Sequence, residues 1–172
     1  GKTVVATLSL VKAVENGYQA VIMAPTEILA TQHYEGITEF CKHLPINIAL
    51  LTGSTSKKEK DRIYEELQNG TIQLIIGTHA LIQDKVQFKN LGLVIIDEQH
   101  RFGVNQRAAL QHKGVYPHVL IMTATPIPRT MTLSVYGDLA VSIIKEMPPG
   151  RKPVKTYVVD SSYKERLRVF FG

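Results

Sequence analysis

The segment Leu91–Arg107 reads LGLVIIDEQHRFGVNQR. An apolar run closes on two adjacent acids, and a basic stretch broken by glycine follows. A short apolar run without polar alternation suits a strand covered on both faces, as in a parallel sheet. The strand expected at Leu93–Asp97 would put Asp97 at the carboxyl rim of such a sheet and Glu98 one step beyond. Functional groups of open parallel sheets gather at that rim. Magnesium takes oxygen ligands and keeps several waters, which a rim aspartate can hold. A neighbouring glutamate can orient and deprotonate an attacking water. Two acids after a buried strand are also what a solvated turn looks like, so other segments must decide.

Working outward, similar apolar runs predict strands at Gln19–Ala24, Ile46–Thr52, Ile72–Thr78, His118–Thr123 and Val141–Glu146. Amphipathic stretches separate them. Val4, Leu8 and Val11 share one face of a first helix. Thr26, after Pro25, can cap a second that runs to about Lys42. Ser56 with Glu59 forms a capping box for a charged third helix ending near Asn69–Gly70. Shorter helices are expected at Asn105–His112 and Pro128–Val135. Repeated strand–helix alternation predicts an α/β fold with a doubly wound, mostly parallel sheet and helices on both faces.

The rhythm breaks at MPPGRKP, Met147–Pro153, whose prolines and glycine can continue neither a helix nor a central strand. The expected organisation is a domain over 1–147, a linker over 148–153 and the start of a second unit over 154–172.

The chain has 172 residues, 44% of them apolar and 20% charged, values typical of a globular domain. No apolar run approaches the ~18 residues of a membrane span, so no membrane partner is expected. The opening GKTVVATLSLVKAV continues as an amphipathic pattern and does not read as a signal peptide. A single cysteine, Cys41, excludes an intrachain disulfide and points to a reducing, cytoplasmic setting. The net charge of +5 is unevenly spread: Lys145–Gly172 carries seven basic and three acidic residues, and the remainder thirteen against twelve. The bulk of the chain is thus nearly neutral, and its charge alone is poor support for nucleic-acid binding. His33, His43, His112 and His118 show no shared spacing and no acidic partners, so all four read as surface or satisfied helix histidines. KKEKDR, Lys57–Arg62, reads as a solvated helix face.

The first three residues, GKT, match the end of the phosphate-loop pattern GxxxxGK[ST]. There Lys2 would reach the β and γ phosphates and Thr3 would bind magnesium. Amide groups opening the following helix would face the phosphates. A tripeptide alone is weak, but it stands directly before an amphipathic helix and well upstream of DE.

GKT, MAPTEILATQH, LLTGS, IIGTHALI, VIIDEQHRFG and MTATPIPRT occur in the order and rough spacing of superfamily two helicase motifs. Together with VYGDLAVSII and PPGRKPVKT, the chain resembles the RecG family of bacterial DNA helicases over essentially its whole length. The transcription-repair coupling translocases share HRFG and TATPIPRT and resemble it less well at DEQH, YGDL and PPGRKP. A non-catalytic nucleotide- or DNA-binding module is the reading from another class, and intact GKT, DEQH and TAT weigh against it.

The resemblance implies a RecA-like P-loop NTPase domain that uses ATP and Mg2+ and acts on branched double-stranded DNA in repair and recombination, in the bacterial cytoplasm at the nucleoid. It implies that Gly1, Lys2 and Thr3 meet the ATP phosphates, with Thr3 and Asp97 at magnesium and Glu98 as general base. Gln99 and His100 would sense the γ phosphate, and Thr123 and Thr125 would couple hydrolysis to movement. Pro25, Thr26, Gly53, Ser54, Gly77, Thr78 and His79 would line the DNA backbone, through groups that meet phosphate without reading bases. Arg101 and Arg129 suit phosphate or interdomain contacts. The partners implied are a second RecA-like domain, with its arginine finger, and a junction-binding domain of the same full-length protein. The strand preceding GKT is expected to be absent, leaving a gap beside the strand that ends in MTAT. The isolated segment is expected to bind ATP poorly and not to unwind DNA.

Overall fold

The structure, a computed structural model, describes residues 1–98, 113–114, 116–124, 140–144, 150 and 158. The expectations placed on Gln99, His100, Arg101, Thr125 and Arg129 lie outside the described residues. So do the helices expected at Asn105–His112 and Pro128–Val135 and, but for Val158, the segment 154–172. The chain divides into two compact units, Gly1–Val141 and Ser142–Gly172. The sheet and its helices belong to the first.

Five strands form one parallel sheet: β1 (Gln19–Met23), β2 (Ile48–Leu51), β3 (Leu74–Gly77), β4 (Leu91–Asp97) and β5 (His118–Met122), in the order β2-β3-β1-β4-β5. β1 is central and wholly buried. Its residues alternate between two cores, as the two-residue period of a strand requires. Val21 and Met23 join Leu51, Ile75, Val94 and Ile96 on one face. Ala20 and Ile22 join Leu74, Ile76, Leu93 and Ile95 on the other.

Helices α1 (Lys2–Glu15) and α2 (Glu27–Phe40) cover the second face, and α3 (Lys57–Asn69) covers the first through Ile63 and Leu67. Local chemistry sets their ends. Thr26 Oγ1 accepts from the Leu29 amide at 3.3 Å, and Ser56 Oγ accepts from the Glu59 amide at 3.3 Å. Gly70 stops α3 in the left-handed conformation, φ 86°. The charged face of α3 is tied by Arg62, which reaches both Glu59 and Glu66.

Two expectations need correction. Val4 and Leu8 do share a face of α1, but they are 52% and 55% exposed. The helix instead turns Ala6, Thr7 and Leu10 inward, and the small Ala6 and Thr7 let its backbone approach the sheet closely. The run expected as a strand at Val141–Glu146 carries no strand over its described residues 141–144. The division between the compact units falls inside it, and Val141, Ile143 and Ile144 are exposed.

Three polar anchors fix the lower end of the sheet and the approach to β5. Buried Gln19 donates to the carbonyls of Leu67 (2.9 Å) and Ile72 (2.7 Å) and accepts from the Asn90 amide (3.0 Å). Asn47 donates its side-chain amide to the Thr71 carbonyl at 2.9 Å. Lys113 donates to the carbonyls of Gln83 and Val86, each at 2.8 Å, and burial pushes its pKa down. β5 pairs with β4 on one side and, among the described residues, with no strand on the other.

Candidate functional site

Because every strand runs the same way, the residues that follow the strands collect at one rim. These are Ala24–Thr26 after β1, Thr52–Ser54 after β2, Thr78–His79 after β3, Asp97–Glu98 at the end of β4 and Thr123–Ala124 after β5. The amino end of α1 reaches the same rim. Its last turn meets the start of β1 through Asn16–Tyr18, so its first residues lie about 20 Å away, toward the strands' carboxyl ends. Lys2 is half-buried and Thr3 exposed there. Among the described residues no hydrogen bond or ion pair joins their side chains to the acids.

Asp97 closes β4 opposite Met122 of β5. Its Oδ2 lies 2.8 Å from Nε2 of His33, and the two side chains are only 13% and 11% exposed. Among the described residues Oδ1 has no partner. The expectation that His33 lacks an acidic partner is therefore wrong: the partner is 64 residues away in sequence. The available signal was the helical period. His33 stands three residues after buried Ala30 and four before buried Ile37, on the inward stripe of α2.

Glu98 departs from the strand with φ 49°. A left-handed backbone at a non-glycine residue costs about 1–3 kcal/mol and persists where the surroundings dictate it. Part of that constraint is visible, since Glu98 Oε1 accepts from the Ala124 amide at 3.2 Å. The link places the middle residue of TAT on the carboxylate of the DEQH segment.

The junction residues 24–26, 52–54 and 77–79 form a contiguous patch. The Ala24 amide donates to Gly77 O at 2.9 Å, and the Thr78 amide to Leu51 O at 3.2 Å. Gly77 is demanded by that approach, because a Cβ there would lie 2.1 Å from the Leu51 carbonyl oxygen. Glu27, absent from the expected site, occupies this patch. Its carboxylate accepts the Ser54 amide (3.1 Å) and the Ser54 hydroxyl (2.8 Å). The Ser54 hydroxyl, the Ser54 and Gly53 amides and the nearby His79 charge hold its pKa below the usual value. Lys60 donates to Gly53 O at 3.0 Å. Thr78 Oγ1 is buried and has no partner among the described residues.

A cavity of about 490 Å³ lies at the other end of the sheet. It is lined by residues at the strand starts, including Gln19, Ile46, Gln73 and Asn90. It is remote from the acids and carries none of the expected site residues.

A parallel sheet with an acid pair, a GKT-initiated helix and a hydroxyl-bearing patch along one rim is the arrangement of a helicase motor domain. Residues 1–133 match the family model of the DEAD/DEAH box helicases, and the chain belongs to that family. Within it, the chain is 57% identical over 97% of its length to the ATP-dependent DNA helicase RecG of Aquifex aeolicus. It is 50% identical over 99% of its length to RecG of Bacillus subtilis. A solved structure of RecG bound to a three-way DNA junction superposes with a TM-score of 0.84 at 51% identity, covering 99% of this chain. The chain spans about a fifth to a quarter of those relatives. A solved structure of S. cerevisiae Dbp5 bound to Nup159, Gle1 and ADP shares the fold at TM-score 0.59 and 19% identity, covering 78% of this chain and 38% of that one.

Proposed function

We propose that this chain is the ATP-binding motor domain of an ATP-dependent DNA helicase that remodels branched double-stranded DNA, such as stalled forks and Holliday junctions, in recombination and repair. The observation that carries the reading is the rim where Asp97 closes β4, Glu98 follows it and the Ala124 amide of the TAT turn bonds to Glu98. The likeness to RecG supports the substrate class. In this reading the protein works in the bacterial cytoplasm, at the nucleoid. Residues 148–153 link this domain to a second RecA-like domain beginning at 154, and a junction-binding domain of the same protein selects the DNA.

Lys2 and the first amides of α1, with Gly1, hold the β and γ phosphates, since a helix amino terminus presents unpaired N–H groups and a partial positive charge. Asp97 and the Thr3 hydroxyl are hard oxygen donors of the kind magnesium takes. Oδ1 of Asp97, which has no partner among the described residues, fits a metal held by one carboxylate, substrate phosphates and water. Magnesium, when bound, neutralises charge on the phosphate oxygens. Glu98 takes the proton from the attacking water, and Gln99 and His100 sense the γ phosphate. Thr123 and Thr125 transmit its loss, helped by the Ala124 bond to Glu98.

DNA runs over Pro25–Thr26, Gly53–Ser54 and Gly77–His79. The Thr78 hydroxyl, buried and without a partner among the described residues, is the group there that most needs an acceptor or donor. A phosphate reaching the Ser54 amide has to displace Glu27. The test is Glu98→Gln in the full-length protein, assayed for fork-stimulated ATPase and for nucleotide binding. Loss of turnover with retained binding is expected. Retained turnover removes Glu98 from the role of base.

A further inference from the structure

His33 closes the MAPTEILATQH segment and is given no role in the site reading, yet it touches the residue assigned to magnesium. His33 is carried by α2, sixty-four residues before its partner. Helical spacing sets its direction, because Ala30 and Ile37 on the same stripe are buried in the core beneath. The imidazole is only 11% exposed and meets Asp97 at the rim. A carboxylate oxygen only accepts, so Nε2 must carry the hydrogen. The bond occupies Oδ2, and with the side chain's two torsions constrained it determines which oxygen remains.

We infer that His33 is a positioning residue for the metal site: by holding Oδ2 of Asp97 it fixes the carboxylate's rotation and leaves Oδ1 for magnesium. The inference rests on the reading of Asp97 as the magnesium residue. Partners that orient a metal-binding group commonly change metal affinity by about 10–100-fold when removed. Most of the magnesium affinity at such a site comes from nucleotide phosphates, so the lower end, about tenfold, is expected here.

The experiment uses the full-length protein with a non-hydrolysable ATP analogue and Mn2+ as the spectroscopic probe, its binding read by electron paramagnetic resonance. Alongside, the Mg2+ concentration giving half-maximal DNA-stimulated ATPase is measured at saturating ATP. His33→Ala should weaken Mn2+ binding and raise the half-activating Mg2+ by about tenfold, with maximal turnover recovered at high Mg2+. His33→Gln, which retains an N–H donor at comparable reach, should restore both. A purely packing role would leave the metal dependence where it was. Should alanine unfold the protein, His33→Phe keeps the ring's bulk without its nitrogen and is expected to show the same metal defect. Wild-type Mn2+ affinity in a folded Ala or Phe variant overturns the inference, and so does failure of a folded Gln variant to restore it. A wild-type protein whose ATPase needs no divalent cation instead overturns the magnesium assignment of Asp97, and the inference with it.

Discussion

The Ala124 amide donates to Glu98 Oε1 at 3.2 Å, joining the residue after β4 to the turn after β5. The same Glu98 sits at φ 49°, where glycine is at ease and alanine is not. Replacing Glu98 by alanine loses the carboxylate bond and keeps the strain, whereas glycine loses the bond and relieves it. Glu98→Gly should therefore be more stable than Glu98→Ala by about 1 kcal/mol, reversing the usual order in regular structure. Denaturant unfolding of the two variants measures this. Equal or inverted stabilities would show that the backbone is not strained at this position.

Gly77→Ala should destabilise the domain by about 2–3 kcal/mol. The added methyl falls 2.1 Å from the Leu51 carbonyl oxygen, which is main chain and cannot rotate away. The ends of β2 and β3 would have to separate. A lowered unfolding midpoint at unchanged denaturant sensitivity is the expected result, and a neutral substitution would contradict the close approach.

Thr78→Val separates stability from binding. The Thr78 hydroxyl is buried without a partner among the described residues, so replacing it with a methyl should be neutral or stabilising by up to about 1 kcal/mol. If that hydroxyl meets a DNA phosphate, affinity for DNA should fall by about three- to tenfold for one lost hydrogen bond. Thermal unfolding and fluorescence-anisotropy titration on the same variant read the two effects. Unchanged DNA affinity would take Thr78 off the DNA path.

Glu27 titrates below its ordinary value of 4.5, chiefly because the Ser54 hydroxyl and then its amide bond to the charged form. A folded-state pKa below the unfolded one makes this tether stabilising above about pH 4.5, and its contribution is lost as pH falls through the lowered folded pKa. Carbon-detected NMR titration should give Glu27 a midpoint below 4.5, with the Ser54 amide shift following it. A midpoint at or above 4.5 removes the tether.

The same carboxylate also bears on DNA. Glu27→Gln removes a negative charge from the expected phosphate path, and DNA binding at low salt should tighten by about two- to threefold. The gain should shrink as salt is raised. Weaker binding at every salt concentration would mean that Glu27 organises the Gly53–Ser54 loop for DNA instead of competing with it.

Much of this molecule was legible along the chain, because the deciding interactions span few residues. The Thr26 and Ser56 caps each act over three residues, and Gly70 ends α3 through its own backbone freedom. The apolar runs that became β1 to β5 have no polar alternation, and that pattern requires cover on both faces wherever the strands are placed. The strand expected at Val141–Glu146 shows the limit: an apolar run becomes a strand only where a neighbour accepts its backbone bonds, and the described residues 141–144 are exposed and carry no strand.

Asp97 and Glu98 announced themselves by type and by their position after an apolar run. What the sequence alone could not show was their company. His33 meets Asp97 across 64 residues, Glu27 meets Ser54 across 27, and Ala124 meets Glu98 across 26. Each of these contacts depends on which strands are neighbours, and strand order is settled by the packing of whole faces. Local propensity is blind to it. Residue chemistry along the chain determined the fold class and the candidate acids; the order β2-β3-β1-β4-β5 decided which side chains would stand beside them.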